Sequence, residues 1–132
     1  MKNILIAGGA GYIGSACTEY MLNKGYQVTV FDSLVTGHEK AVDKRATFIR
    51  GDLADREKLI EIFRNGSFDA VMHFAAFSLV GESMKDPGKY FRNNLANAIN
   101  LADAAVKGKV RAFVFSSTAA TFGEPREIPI SE

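Results

Sequence analysis

The chain has 132 residues, 16 Lys+Arg against 15 Asp+Glu, and a hydrophobic fraction of 47%. That is room for one domain with a buried core, and the net charge of +1 excludes the basic excess typical of nucleic-acid and membrane-surface binders. The single cysteine, Cys17, excludes an internal disulfide, and with only His38 and His73 beside it no Cys/His metal cluster is expected. A reducing, cytoplasmic setting follows, and no apolar run approaches the ~20 residues of a membrane span.

Residues 2–7 form a short apolar run bounded by Gly8-Gly9, which predicts a buried first strand. Over residues 11–24 the positions Ile13, Cys17, Tyr20 and Met21 recur at helical spacing, with Lys24-Gly25 as the stop. Residues 26–31 are rich in β-formers and end at Asp32. A third strand is expected at 46–50, followed by a helix that Asp55 caps, with Leu59, Ile62 and Phe63 on its apolar face. Residues 70–74 give a fourth strand. A long helix is expected from about Tyr90 to Lys107, striped by Phe91, Leu95, Ala98, Leu101 and Ala105. Residues 111–115 give a fifth strand, and the remainder, with Pro125 and Pro129, reads as loop. Strands alternating with helices imply an α/β fold, a Rossmann-like doubly wound parallel sheet. Right-handed crossovers favour the strand order 3-2-1-4-5, with the switch between the first and fourth strands.

The most informative motif is Gly8-Gly9-Ala10-Gly11-Tyr12-Ile13-Gly14. It stands directly after a strand and opens a helix, where absent side chains let the backbone turn tightly against a diphosphate. The helix N-terminus adds free N–H groups and a positive dipole end. Asp32, 18 positions beyond Gly14, can accept from both hydroxyls of an adenosine ribose and would repel a 2′-phosphate, so NAD is favoured over NADP. Asp52 either reaches the adenine amino group or caps its own turn. Phe74-Ala75-Ala76, small residues at the end of the fourth strand, suit a wall beside a flat ligand. His73 reads as packed or hydrogen-bonded and not as catalytic.

Together these stretches resemble the extended short-chain dehydrogenase/reductase superfamily, and within it the UDP-glucose 4-epimerase family. The resemblance is carried by residues 7–15, 32–37, 51–53, 73–83, Tyr90-Phe91-Arg92-Asn93-Asn94 and 115–123. Val80-Gly81-Glu82-Ser83 and Ser116-Ser117-Thr118-Ala119-Ala120-Thr121 point to the epimerases in particular. It implies that Gly8, Gly11, Tyr12, Ile13 and Gly14 surround the diphosphate, and that Asp32, Ser33, Leu34, Val35, Thr36 and Gly37 hold the ribose. It places Asp52 and Leu53 at the adenine, Phe74, Ala75, Ala76, Phe77 and Ser78 along the middle of the dinucleotide, and Asn93 against it from the long helix. Thr118 falls where the family has a Ser or Thr that hydrogen-bonds the sugar hydroxyl being oxidised. Ala7, Ser78 and Phe122 depart from a usual threonine, a lysine found in some members, and a common tyrosine.

The implied function is NAD-dependent interconversion of UDP-glucose and UDP-galactose by transient oxidation at C4. The family's catalytic Tyr-x-x-x-Lys falls beyond Glu132, so residues 1–132 are expected to be an incomplete NAD-binding domain, inactive alone. They are also expected to leave an apolar sheet face uncovered. A UDP-sugar substrate and a homodimer are expected of the full-length protein, with neither nucleic acid nor membrane as partner. Tyr20-Met21-Leu22-Asn23-Lys24 also has the spacing, but it lies about 13 Å along the first helix from the glycine turn, running away from the reacting end. Tyr20 is read as part of that helix's buried stripe. The rival readings are a related sugar-nucleotide dehydratase or reductase, and a non-catalytic NAD-binding module.

Overall fold

The computed structural model describes residues 2–124 and 127–130; Pro125 of the expected loop, and Ser131-Glu132, lie outside them. Five parallel strands, β1 (Asn3–Ala7), β2 (Gln27–Asp32), β3 (Thr47–Arg50), β4 (Ala70–His73) and β5 (Ala112–Phe115), form one sheet in the order β3-β2-β1-β4-β5. The register runs Ala7 beside Phe31 on one side and His73 on the other. The carboxyl ends of β1, β2 and β4 therefore open together at the point where the order reverses.

The pleat divides the core. Ile4, Ile6, Val28 and Val30 pack on the side of helix α1 (Tyr12–Asn23), with Cys17 and Met21 against them. Leu5, Ala7, Phe31 and Val71 pack on the other side, under α2 (Arg56–Asn65) and α5 (Asn97–Lys107). As expected, Asp55 caps α2 by accepting from the Lys58 N–H (2.9 Å), and Leu59, Ile62 and Phe63 are its buried positions.

Two expected stripes need correction. In α1 the residues buried against the sheet are Gly14 and Thr18, whereas Ile13 and Tyr20 are 60% and 57% exposed. At the start of this face the glycine turn comes too close for a side chain: a Cβ on Gly14 would stand 2.8 Å from the Gly9 Cα. Thr18 fits because its hydroxyl donates to the Gly14 carbonyl (2.8 Å). Tyr20 turns outward, with Lys24 Nζ 5.4 Å from its ring centre.

The long helix is present and unbroken from Pro87 to Lys107, but its hydrogen bonding is not α-helical throughout. A short α3 (Val80–Lys85), absent from the sequence reading, precedes α4 (Pro87–Tyr90). A π-helical segment (Phe91–Ala96) then leads into α5. Each π turn takes up an extra residue and shifts the phase of the stripe. Leu101, Ala104 and Ala105 are buried, while Phe91 and Leu95 are exposed.

The apolar surface expected on the sheet is found at β5, where Phe113, Val114 and Phe115 are all exposed. Residues 119–122, expected as loop, contain one 3-10 turn (Ala119–Phe122). No helix among the described residues is long and apolar enough to cross a membrane. Leu101 is fully buried where α5 meets the sheet, so Leu101→Ala is expected to lower unfolding stability by about 2–5 kcal/mol, read as a fall in the urea midpoint with unchanged slope.

Candidate functional site

The turn from β1 into α1 is bare backbone for steric reasons. Gly8 has φ +82°, and a Cβ on it would lie 2.5 Å from the Ala75 amide nitrogen. A Cβ on Gly14 would run into the Gly8 carbonyl. The chain is thereby pressed between the ends of β1 and β4. Gly11 precedes α1 without a side-chain cap, and the helix has no acidic residue in its first turn. Its leading N–H groups and positive dipole end are left for an anion.

Asp32, at the end of β2 and only 8% exposed, binds two loops at once. Its Oδ2 accepts from the Ala10 N–H (3.0 Å) and its Oδ1 from the Leu34 N–H (2.8 Å). Leu34 takes the left-handed conformation (φ 62°) to make that bond. A carboxylate has about four acceptor positions, so Asp32 keeps capacity for two further donors, such as a pair of vicinal hydroxyls.

Around this turn lies a cleft of about 350 Å³. The glycine turn with Tyr12 and Ile13 forms one edge, and Asp32, Ser33, Val35, Thr36 and Gly37 form the end near β2. Asp52 and Leu53 close the end near β3, and Phe74, Ala75, Ala76, Phe77 and Ser78 form the opposite wall, with Asn93 reaching in from the π segment. Of the expected binding residues, Leu34 alone does not line the cleft; it acts on it through Asp32. Both readings of Asp52 have a basis, since its Oδ1 caps its own turn by accepting from the Ala54 N–H (2.8 Å) while the residue lines the cleft.

Residues 4–132 match the model of the NAD dependent epimerase/dehydratase family. The chain belongs to that family. It is 56% identical over 131 residues to a UDP-glucose 4-epimerase of Streptococcus mutans and 51% identical over 129 residues to one of Lacticaseibacillus casei. In each case 98% of this chain is matched to 39% of the relative, so the chain spans about two fifths of those proteins. It also superimposes on a crystal structure of UDP-glucose 4-epimerase from Brucella ovis in complex with NAD, with a TM-score of 0.93 and 42% identity, covering all of this chain and 40% of that one.

Within this family fold, three lining residues escaped the sequence reading: Phe31, Gly51 and Asn97. Gly51 is backbone against a ring, since a Cβ on it would meet Phe31 at 2.5 Å. Asn97 lies four positions beyond Asn93, the ordinary helical spacing that puts both on one face; packing decides that this face turns to the cleft. Thr118 does not line the cleft; its hydroxyl accepts from the Ala120 N–H (3.2 Å) and caps the 3-10 turn. Tyr20 is likewise outside the cleft. His73 is 2% exposed and packs against the rings of Phe113 and Phe115. It is packed, as expected, but its Nδ1 has no hydrogen-bond partner among the described residues. Burial pushes its imidazole below the ordinary 6.5.

Gly14→Ala is expected to destroy the turn, lowering the melting temperature by several degrees in a thermal scan because the new methyl group has no space. His73 stays neutral in the folded chain while the unfolded chain takes up a proton near pH 6.5. Its contribution to stability is therefore whole above that pH and is lost as pH falls through the lowered folded value. A series of denaturation curves between pH 7 and pH 4 should show this decline, and His73→Phe should flatten it.

Proposed function

We propose that this chain is the NAD-binding portion of a UDP-glucose/UDP-galactose 4-epimerase. The observation that carries the reading is the bare turn at residues 8–14, joined to an acid at the end of β2 within one cleft. The cradle fits the group: the glycines let residues 8–14 pack backbone on backbone in a tight turn, and the start of the uncapped helix lines the cleft.

In this reading the first-turn amides of α1, at Tyr12 and Ile13, hold the diphosphate, while Asp32 through Gly37 hold the adenosine ribose. Asp52 and Leu53 receive the adenine, and residues 74–78 with Asn93 line the course toward the nicotinamide. NAD, when bound, supplies the site with a hydride acceptor and donor. Thr118 stands outside the cleft of this chain, its oxygen accepting from the Ala120 N–H; the sugar-hydroxyl role that the family resemblance implies would use its O–H as a donor, without the group itself becoming charged. The family's Tyr-x-x-x-Lys pair is not formed by Tyr20 and Lys24, which stand outside the cleft with Tyr20 exposed.

A UDP-sugar substrate, a homodimer of the full-length protein and a cytoplasmic setting belong to the same proposal. The exposed Phe91 and Leu95 on the outer side of the π segment support pairing through this helix.

Calorimetry with NAD⁺ tests the cofactor reading. The chain is expected to bind NAD⁺ at least about tenfold more tightly than NADP⁺, because Asp32 repels a 2′-phosphate. Asp32→Ala, shown by circular dichroism to be folded, should lose about tenfold or more in NAD⁺ affinity. Equal affinity in the two proteins would remove Asp32 from the site.

A further inference from the structure

The wall formed by residues 74–79 belongs to neither helix nor strand. After Phe74, whose N–H donates to the Ala7 carbonyl (2.8 Å), it leaves the sheet. Its backbone must then find partners elsewhere. At Phe77 both partners come from one side chain. Asn94 Oδ1 accepts from the Phe77 N–H (2.8 Å), and Asn94 Nδ2 donates to the Phe77 carbonyl (2.8 Å). A carboxamide can do this because it carries a donor and an acceptor side by side, as a neighbouring peptide group on a strand would.

The same Oδ1 also accepts from Asn93 Nδ2 (2.9 Å). Phe77 and Asn93 line the cleft and Asn94 does not. We propose that Asn94 is a positioning residue: by clasping the Phe77 backbone and the Asn93 side chain, it holds the wall and the helix at the spacing that the half of a dinucleotide remote from adenine requires. This rests on the NAD reading of the cleft and adds to it a residue that never touches the ligand.

The adenine end is tied to the same helix by a different amide, since Asn100 Nδ2 donates to the Leu53 carbonyl (3.1 Å). The two ends of the cleft can therefore be loosened separately. Phe77 has other ties, but they act on its ring: Tyr90 packs against it with centres 5.8 Å apart, and Lys89 Nζ stands 4.9 Å from its centre. Among the described residues Asn94 is the one side chain that bonds the Phe77 backbone, while the Tyr90 hydroxyl holds the far end of the wall by accepting from the Leu79 N–H (3.2 Å).

The test is calorimetric titration of the chain with NAD⁺ and with AMP, which occupies the adenosine end alone. Asn94→Ala should weaken NAD⁺ binding by about tenfold while AMP affinity changes by less than about twofold. Asn94→Asp, which still accepts from Phe77 and Asn93 but cannot donate to the Phe77 carbonyl, should show a smaller selective loss, about threefold for NAD⁺. Asn100→Ala should weaken both ligands alike. A general loosening would lower AMP and NAD⁺ together in the Asn94 variants, and that result overturns the proposal, as does unchanged NAD⁺ affinity. Unaltered chain that binds neither ligand would instead overturn the NAD reading itself, and this inference with it.

Discussion

Backbone meets backbone at the centre of this molecule, and the rest of the site follows from that approach. Gly8 lies against the Ala75 amide, and Gly14 against the Gly8 carbonyl, at separations that leave no place for a Cβ. Helix α1 is thereby drawn down onto the sheet, which is why its buried positions are Gly14 and Thr18 and not its larger apolar residues. The same closeness leaves the first-turn amides of α1 at the mouth of the cleft with no side chain to satisfy them. An electrostatic opening and a packing constraint are two consequences of the same missing side chains.

Asp32 converts that turn into a site with two fixed edges. Because one carboxylate oxygen holds Ala10 and the other Leu34, the glycine turn and the loop after β2 keep a set distance. In the proposed function Asp32 would thus be a brace as well as a ligand contact, the two roles using different acceptor positions on the same atoms. Across the cleft the asparagines of the π segment and α5 do comparable work with neutral amides. Leu53 and Phe77, far apart in sequence, are bound to one helix and share its frame.

The fold was readable because its signals are local and repeated. Each strand is a short apolar run ended by Gly, Asp or a small residue, and right-handed crossovers leave few orders for five such strands. The Asp55 cap and the Leu59–Ile62–Phe63 face were equally legible, since a cap and a helical period lie within ten residues of each other. The Tyr20 assignment failed for the opposite reason. Helical spacing says which residues share a face, but the face that turns inward is chosen by how near the sheet can come. At Phe91 and Leu95 the spacing itself misled, because the π segment alters the period on which the stripe was counted.

Residue chemistry along the chain was sufficient for the parallel sheet, the glycine turn, the acid at the end of β2 and the family to which these belong, because each depends on neighbours a few positions apart. Tertiary structure alone decided that Gly51 must yield to the Phe31 ring, that Asn97 reaches the cleft, that Thr118 caps a turn outside it, and that His73 is buried against the Phe113 and Phe115 rings with an Nδ1 that finds no partner among the described residues. Those outcomes depend on distances between segments that sequence separates by tens of residues, and such distances exist only once the sheet has brought the segments together.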